Sequence, residues 1–65
     1  MQIWIHTKYN REYVILSDNA RMKDVNTGEW IDCIVYSPLY DNKYNAFCRE
    51  KESFYKEFTK KEEVK

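Results

Sequence analysis

The residues with the clearest chemical potential are aromatic rings and single cations in the middle and second half of the chain. Tyr36, Tyr40 and Phe47 could each stack on a planar ring, and Arg49 and Arg21 could each neutralise an anion. Together these residue types could form a site for a small anionic ligand that carries a planar ring. The alternative is structural. In that case Tyr36 and Phe47 belong to the core, Arg49 pairs with a carboxylate, and Arg21 is a solvated edge charge.

Catalytic chemistry has little support. Asp32, Glu29 and His6 are the only candidate catalytic groups, and His6 is the only histidine. The sequence contains no metal-ligand spacing, no Gly-rich phosphate loop with its lysine, and no G-x-S-x-G motif. We therefore predict a protein that is not an enzyme and that uses no cofactor and no metal.

The two cysteines, Cys33 and Cys48, belong to neither a C-x-x-C motif nor a Cys/His cluster, which argues against zinc. The start M-Q-I-W-I-H lacks the basic and long apolar regions of a signal peptide. We predict a cytoplasmic protein with reduced core thiols, and one disulfide is the alternative. No apolar run reaches the ~20 residues of a membrane span, so no membrane association is predicted.

Size and charge limit the classes of function. A chain of 65 residues allows one domain, and so small a domain often relies on oligomerisation for stability. Eleven basic and eleven acidic side chains give a net charge of zero, without the basic excess that nucleic-acid binders normally show. Aromatic residues make up 17% of the chain, enough to fill a small core or to form an interface. We predict a homo-oligomer and argue against a nucleic-acid partner.

Alternating apolar and polar residues predict about five short strands. In the first strand, Ile3 and Ile5 are predicted to face inward. The strongest strand follows an N-T-G-E turn, in which Gly28 is expected to supply a positive φ. Ser37-Pro38 is predicted to end regular pairing, because proline cannot donate to a ladder. The predicted strands span residues 2–7, 12–17, 20–25, 30–36 and 44–49.

From residue 50 onward the sequence is rich in residues that favour helices. Phe54 and Phe58 are spaced i, i+4, so a helix would present both rings to the sheet. Residues 1–59 are predicted to form the single domain, and residues 60–65 a frayed polar tail. The predicted fold class is mainly β: a small twisted antiparallel sheet, or an SH3-like partly open barrel, of about five strands with a C-terminal helix.

A spaced set of motifs resembles a known family. The motifs are K-Y-N-R-E-Y-V-I-L at 8–16, T-G-E at 27–29, V-Y-S-P-L-Y at 35–40, F-C-R at 47–49, and Phe54. Their order and spacing resemble the small bacterial and phage proteins of domain of unknown function 1653, over most of residues 8–58. The chain departs from that family in having Cys48 where an aliphatic residue is common, and in lacking a proline after Arg49.

The resemblance implies a phage-type origin, and small phage proteins often act on the host. The prediction is thus an anti-defence protein that sequesters a signalling nucleotide at an oligomer interface. The alternative partner is a host enzyme, which the chain would bind as a small inhibitor or adaptor. The exposed rings predicted for such a protein interface are Trp4, Tyr9, Trp30 and Tyr55.

Overall fold

A computed structural model describes residues 2–40 and 46–61, which form one antiparallel sheet with a short helix packed on it. The strands are β1 (Ile3–His6), β2 (Arg11–Lys23), β3 (Trp30–Pro38), β4 (Phe47–Glu50) and β5 (Phe58–Lys60), and the helix α1 is Lys51–Glu57. Their order across the sheet is β4-β3-β2-β1-β5. The predicted mainly-β class with five strands and one helix is confirmed. Within the described residues β4 and β5 are edge strands, so the sheet does not close into a barrel.

One long strand replaces two predicted ones. Residues 12–17 and 20–23 belong to a continuous β2, and the gap between the two predicted strands corresponds to a pair of register shifts inside it. Residues 24 and 25 of the second predicted strand lie beyond the end of β2. The shifts lie between Ile15 and Ser17 and between Ser17 and Ala20. Such bulges bend a strand without ending its pairing. β2 can therefore pair with β3 along most of its length.

The hairpin between β2 and β3 turns where the sequence predicts. Gly28 has a φ of 76°, its backbone N–H donates to the Asp24 carbonyl at 2.7 Å, and the Asp24 N–H donates to the Glu29 carbonyl at 2.8 Å. β3 then continues through Pro38, two residues beyond the predicted end. The start of the last predicted strand, residues 44 and 45, lies outside the described residues.

The helix ends earlier than predicted. Phe58 has extended backbone angles (φ −123°, ψ 145°) and begins β5, so the prediction that it shares a helical face with Phe54 is wrong. Lys60 pairs with Trp4, and the Lys61 N–H donates to the Ile3 carbonyl at 2.9 Å. Residues 60 and 61 are thus held against β1 instead of forming the start of a frayed tail. Residues 62–65 lie outside the described residues.

The core lies between α1 and the sheet and is made largely of rings. Trp4 lies opposite Tyr13, and His6 opposite Phe58, so both β1 side chains point to the side of α1. Because neighbouring residues of a strand face opposite sides, the prediction that Ile3 and Ile5 face inward is wrong. Buried core residues are Ile34, Tyr36, Phe54 and Phe58, with Trp4, Tyr13 and Ile15 packed against them.

Candidate functional site

A cleft of about 430 Å³ lies where the β1–β2 turn meets the end of β3. Its volume falls in the range of about 300–1,000 Å³ that is usual for small-molecule sites. Two of the lining side chains, Arg11 and Tyr40, are exposed to solvent, so a ligand could reach both. Among the described residues, the cleft is lined by Asn10, Arg11, Glu12, Pro38 and Tyr40.

The β1–β2 turn, which forms one wall of the cleft, is fixed by His6. The imidazole Nδ1 accepts hydrogen bonds from the backbone N–H groups of Lys8 at 3.2 Å and Tyr9 at 3.4 Å. The His6 carbonyl accepts a third bond from the Asn10 N–H at 2.7 Å. Asn10 then takes a φ of 55°, which asparagine tolerates better than most residues. The chain thereby reverses direction and enters β2 at Arg11.

The opposite wall is the end of β3, which is bonded to the start of β2. Tyr13 lies opposite Pro38, and the Leu39 N–H donates to the Glu12 carbonyl at 3.1 Å. These contacts hold the end of β3 beside the β1–β2 turn and place Tyr40 at the cleft. The Tyr40 side chain is 79% exposed, so its ring is free to contact a ligand.

The charges at the cleft are divided unequally. The Glu12 carboxylate forms an ion pair with Lys61, at 3.1 Å between Oε2 and Nζ. Arg11, by contrast, makes no ion pair within residues 2–40 and 46–61. A guanidinium without a carboxylate partner is suited to bind a phosphate or carboxylate group of a ligand. The cleft therefore combines an available cation with an exposed ring.

Three predicted ligand residues do come together, beside the core. Tyr36 and Phe47 have ring centroids 5.8 Å apart, and Arg49 places its Nε 3.4 Å from the Tyr36 hydroxyl oxygen. The Arg49 guanidinium also lies 5.5 Å from the centroid of the Phe58 ring. Tyr36 is only 6% exposed and belongs to the core, which removes it as a stacking surface for a ligand. Phe47, at 45% exposed, is the accessible ring of this group.

Arg21 is not part of that group. Its Nε lies 3.5 Å from Asp32 Oδ1, and both side chains are about 70% exposed (69% and 71%). Asp32 is four residues before Tyr36 on β3, which corresponds to roughly 13 Å along a strand. An exposed ion pair of this kind contributes about 0–1 kcal/mol. The structure thus separates Arg21 from the other predicted ligand residues.

The four rings predicted for a protein interface occupy three places. Tyr9 (62% exposed) is in the β1–β2 turn and Trp30 (63% exposed) starts β3, so they lie near opposite ends of β2. Trp4 is partly buried against Phe54, and its other neighbour is Tyr55, with both ring centroids at 5.4 Å. The rings therefore do not make a single surface.

Arg11 is not among the ligand residues predicted from the sequence. It lies between two predicted strands, and nothing in the local pattern relates it to Tyr40. Only the pairing of β2 with β3 brings the two residues to one cleft. The sequence signal for Arg11 is its position: it lies directly before the E-Y-V-I-L run, with a turn on its other side.

The fold and the cleft together define a small, open antiparallel-sheet protein with one short helix and a solvent-accessible cleft at one end of the sheet. No protein-family model, no curated protein and no solved structure matches the chain. The resemblance to domain of unknown function 1653 therefore stays a prediction. In the part of the chain that the structure describes, no helix has the length and apolar character needed to cross a membrane.

Proposed function

We propose that the protein is a non-catalytic binding protein that takes a small anionic ligand with a planar ring, of the nucleotide class, in the cleft between Arg11 and Tyr40. The observation that supports this is the presence of both side chains on one cleft of about 430 Å³. Arg11 binds the phosphate in a bidentate manner, and the exposed Tyr40 ring stacks on the base. Asn10, on the same cleft, offers further polar contacts.

The positions of the candidate catalytic groups favour binding over catalysis. His6 is 7% exposed, and its Nδ1 is occupied by the backbone of the β1–β2 turn. Asp32 is paired with Arg21 on the exposed hairpin, and Glu29 lies in the turn of that hairpin. These groups lie on separate elements, whereas acid–base chemistry needs them within hydrogen-bond reach of one substrate atom.

The proposal retains the predicted homo-oligomer and the host-directed, anti-defence role. A second copy would deepen a site that a small subunit leaves open on one side. The size of the chain and the family resemblance are the support for these two features, and the cleft itself is independent of them.

Thermal unfolding with a ligand panel tests the proposal. The panel contains nucleoside monophosphates, cyclic dinucleotides, the matching nucleosides and inorganic phosphate. A ligand at about 100 times its dissociation constant stabilises the native state by about 2.7 kcal/mol, and each kcal/mol raises the Tm of a domain this small by ~4–8 °C. We expect a clear Tm increase with a nucleotide and little or none with the matching nucleoside or phosphate alone.

Two matched pairs of variants locate the site. Arg11→Gln is expected to weaken nucleotide binding about tenfold or more, because a charge-assisted hydrogen bond is worth about 1.5–3 kcal/mol, whereas Arg21→Gln should leave it unchanged. Tyr40→Ala should weaken it similarly through lost stacking, and Tyr55→Ala should not. Equal effects within either pair, or no nucleotide that raises the Tm, would reject the cleft as the binding site.

The second candidate is a small inhibitor or adaptor that binds a host protein. The hairpin between β2 and β3 favours it, since Val25 is 92% and Trp30 63% exposed at that end of the sheet. Exposed tryptophan is a frequent energetic centre of protein interfaces. Loss of a co-purified host protein on Trp30→Ala, with Tyr40→Ala retaining it, would favour this candidate over the cleft.

A further inference from the structure

Three sulfur-containing side chains meet on the sheet face opposite α1. The thiol of Cys48 on β4 donates to the thioether of Met22 on β2, with Sγ and Sδ 3.9 Å apart. Cys33 is on β3, which lies between these two strands. It pairs with Ala20 of β2 and Glu50 of β4, so it is a diagonal neighbour of both Met22 and Cys48 on one face.

The two thiols of this cluster differ in accessibility. Cys33 is 1% exposed, whereas Cys48 is exposed, and both are free cysteines. The prediction that both thiols belong to the core therefore holds for Cys33 and is wrong for Cys48. A metal ion that prefers sulfur ligands could therefore meet the exposed thiol of Cys48 first. It could then reach the thiol of Cys33, which is shielded from water.

We propose that Cys33, Cys48 and Met22 form a binding site for Cu(I), made of two thiolates and one thioether. Thiolate and thioether ligands are soft and suit Cu(I), zinc and iron–sulfur clusters. The thioether favours Cu(I) over zinc, because zinc sites are built from Cys, His, Asp and Glu. With metal–sulfur bonds of about 2.3 Å, as in zinc thiolates, three sulfurs around a trigonal ion lie about 4 Å apart. The Met22–Cys48 separation of 3.9 Å already has that value.

Zinc fits this cluster less well. A structural zinc ion takes four ligands from Cys, His, Asp and Glu. Within residues 2–40 and 46–61, no group of three or more such side chains is placed to hold a metal. The only histidine, His6, is on β1 and bonds the β1–β2 turn. Two thiols and a thioether without a fourth protein ligand match the low coordination number that Cu(I) accepts.

Metal binding at this site exchanges two protons for one ion. Both S–H bonds break, two Cu–S(thiolate) bonds and one Cu–S(thioether) bond form, two protons go to solvent, and copper remains Cu(I). Because both thiols lose a proton when the metal binds, the apparent affinity rises with pH.

The test is an anaerobic titration of the reduced, full-length protein with Cu(I), in competition with a chromogenic Cu(I) chelator, near pH 6 and near pH 7. Native mass spectrometry gives the number of ions per chain. We expect one ion per monomer and a higher affinity at the upper pH. Cys48→Ser changes an exposed side chain, so the fold should survive while tight binding is lost.

Met22→Leu tests the third sulfur, since leucine has a similar volume and no donor atom. We expect it to lower the Cu(I) affinity about tenfold or more, and the matched exposed substitution Val25→Ala to leave it unchanged. Three results would overturn the site: one ion shared by two chains, unchanged binding in Cys48→Ser, or unchanged binding in Met22→Leu.

Discussion

The rings of Phe54 and Phe58 stack face to face, with centroids 4.2 Å apart and planes inclined by 8°. Phe54 belongs to α1 and Phe58 to β5, and the two side chains are 0% and 3% exposed. Tyr36 of β3 contacts both rings at centroid distances of 5.2 Å. This stack therefore joins the helix to both the middle and the edge of the sheet.

Truncating the stack should unfold the protein. Phe54→Ala is expected to cost about 3–5 kcal/mol, the usual loss for a buried phenylalanine, which is most of the stability of a small domain. Urea unfolding followed by circular dichroism measures the loss. The neighbouring Tyr55→Ala is the control, because Tyr55 is 46% exposed. A cost for Phe54→Ala no larger than for Tyr55→Ala would contradict this account of the core.

The His6 ring should support the cleft from a distance. His6→Phe keeps the aromatic packing on Phe58, whose ring centroid is 4.8 Å away, but removes the acceptor for the Lys8 and Tyr9 N–H groups. We expect a loss of about 1–2 kcal/mol in the free energy of unfolding. Amide hydrogen exchange should accelerate in the β1–β2 turn and stay unchanged in the β2–β3 turn. Equal exchange in the two turns would show that His6 does not hold the first one.

Alkaline pH should destabilise the fold through Cys33. A hydrogen bond with Cys48, and then burial, raise the pKa of Cys33 from 9.0 to about 11. Above pH 9 the unfolded state loses this proton while the folded state keeps it, so the free energy of unfolding falls as the pH rises from about 9 to about 11. Urea unfolding of wild type and Cys33→Val at about pH 8 and about pH 10 isolates the effect. A pH dependence that is the same in both proteins would exclude Cys33 as its source.

The two thiols should react differently with an alkylating reagent. Cys48 is exposed and Cys33 is 1% exposed, so we expect iodoacetamide to label one cysteine per folded chain and both in denaturant. Peptide mapping identifies the labelled residue, and Cys48→Ser should remove the label from the folded protein. Rapid labelling of Cys33 in native buffer would mean that β4 opens readily.

The sheet was largely predictable from the sequence, because alternation of side chains and turn chemistry are local signals. The turn at Gly28 and the strand that follows it are examples. The face of β1 was not predictable, since I-W-I-H is mainly apolar on both sides and alternation alone does not say which side meets the helix. Phe58 was assigned to the helix for a related reason: its strand conformation depends on pairing with His6, which is distant in sequence.

The candidate site was predictable only in part. The sequence names Tyr36 and Tyr40 alike as candidate stacking rings, but Tyr40 is 79% exposed whereas Tyr36 is 6% exposed and belongs to the core. Residue type alone cannot distinguish the buried tyrosine from the exposed one, because burial depends on the residues that the fold packs against each ring. Arg11 was missed because its relation to Tyr40 exists only after β2 and β3 have paired.

The pairing of β5 with β1 has a consequence for biosynthesis. His6 leaves the ribosome well before its strand partner Phe58, because most of the described chain lies between them. The β2–β3 hairpin can form during translation, while the ring stack and the outer edge of β1 must wait until residue 60 has emerged. Folding is therefore completed only after β5 has been synthesised. A nascent chain arrested before Phe58 should expose Trp4 and Tyr13 to chaperones and proteases.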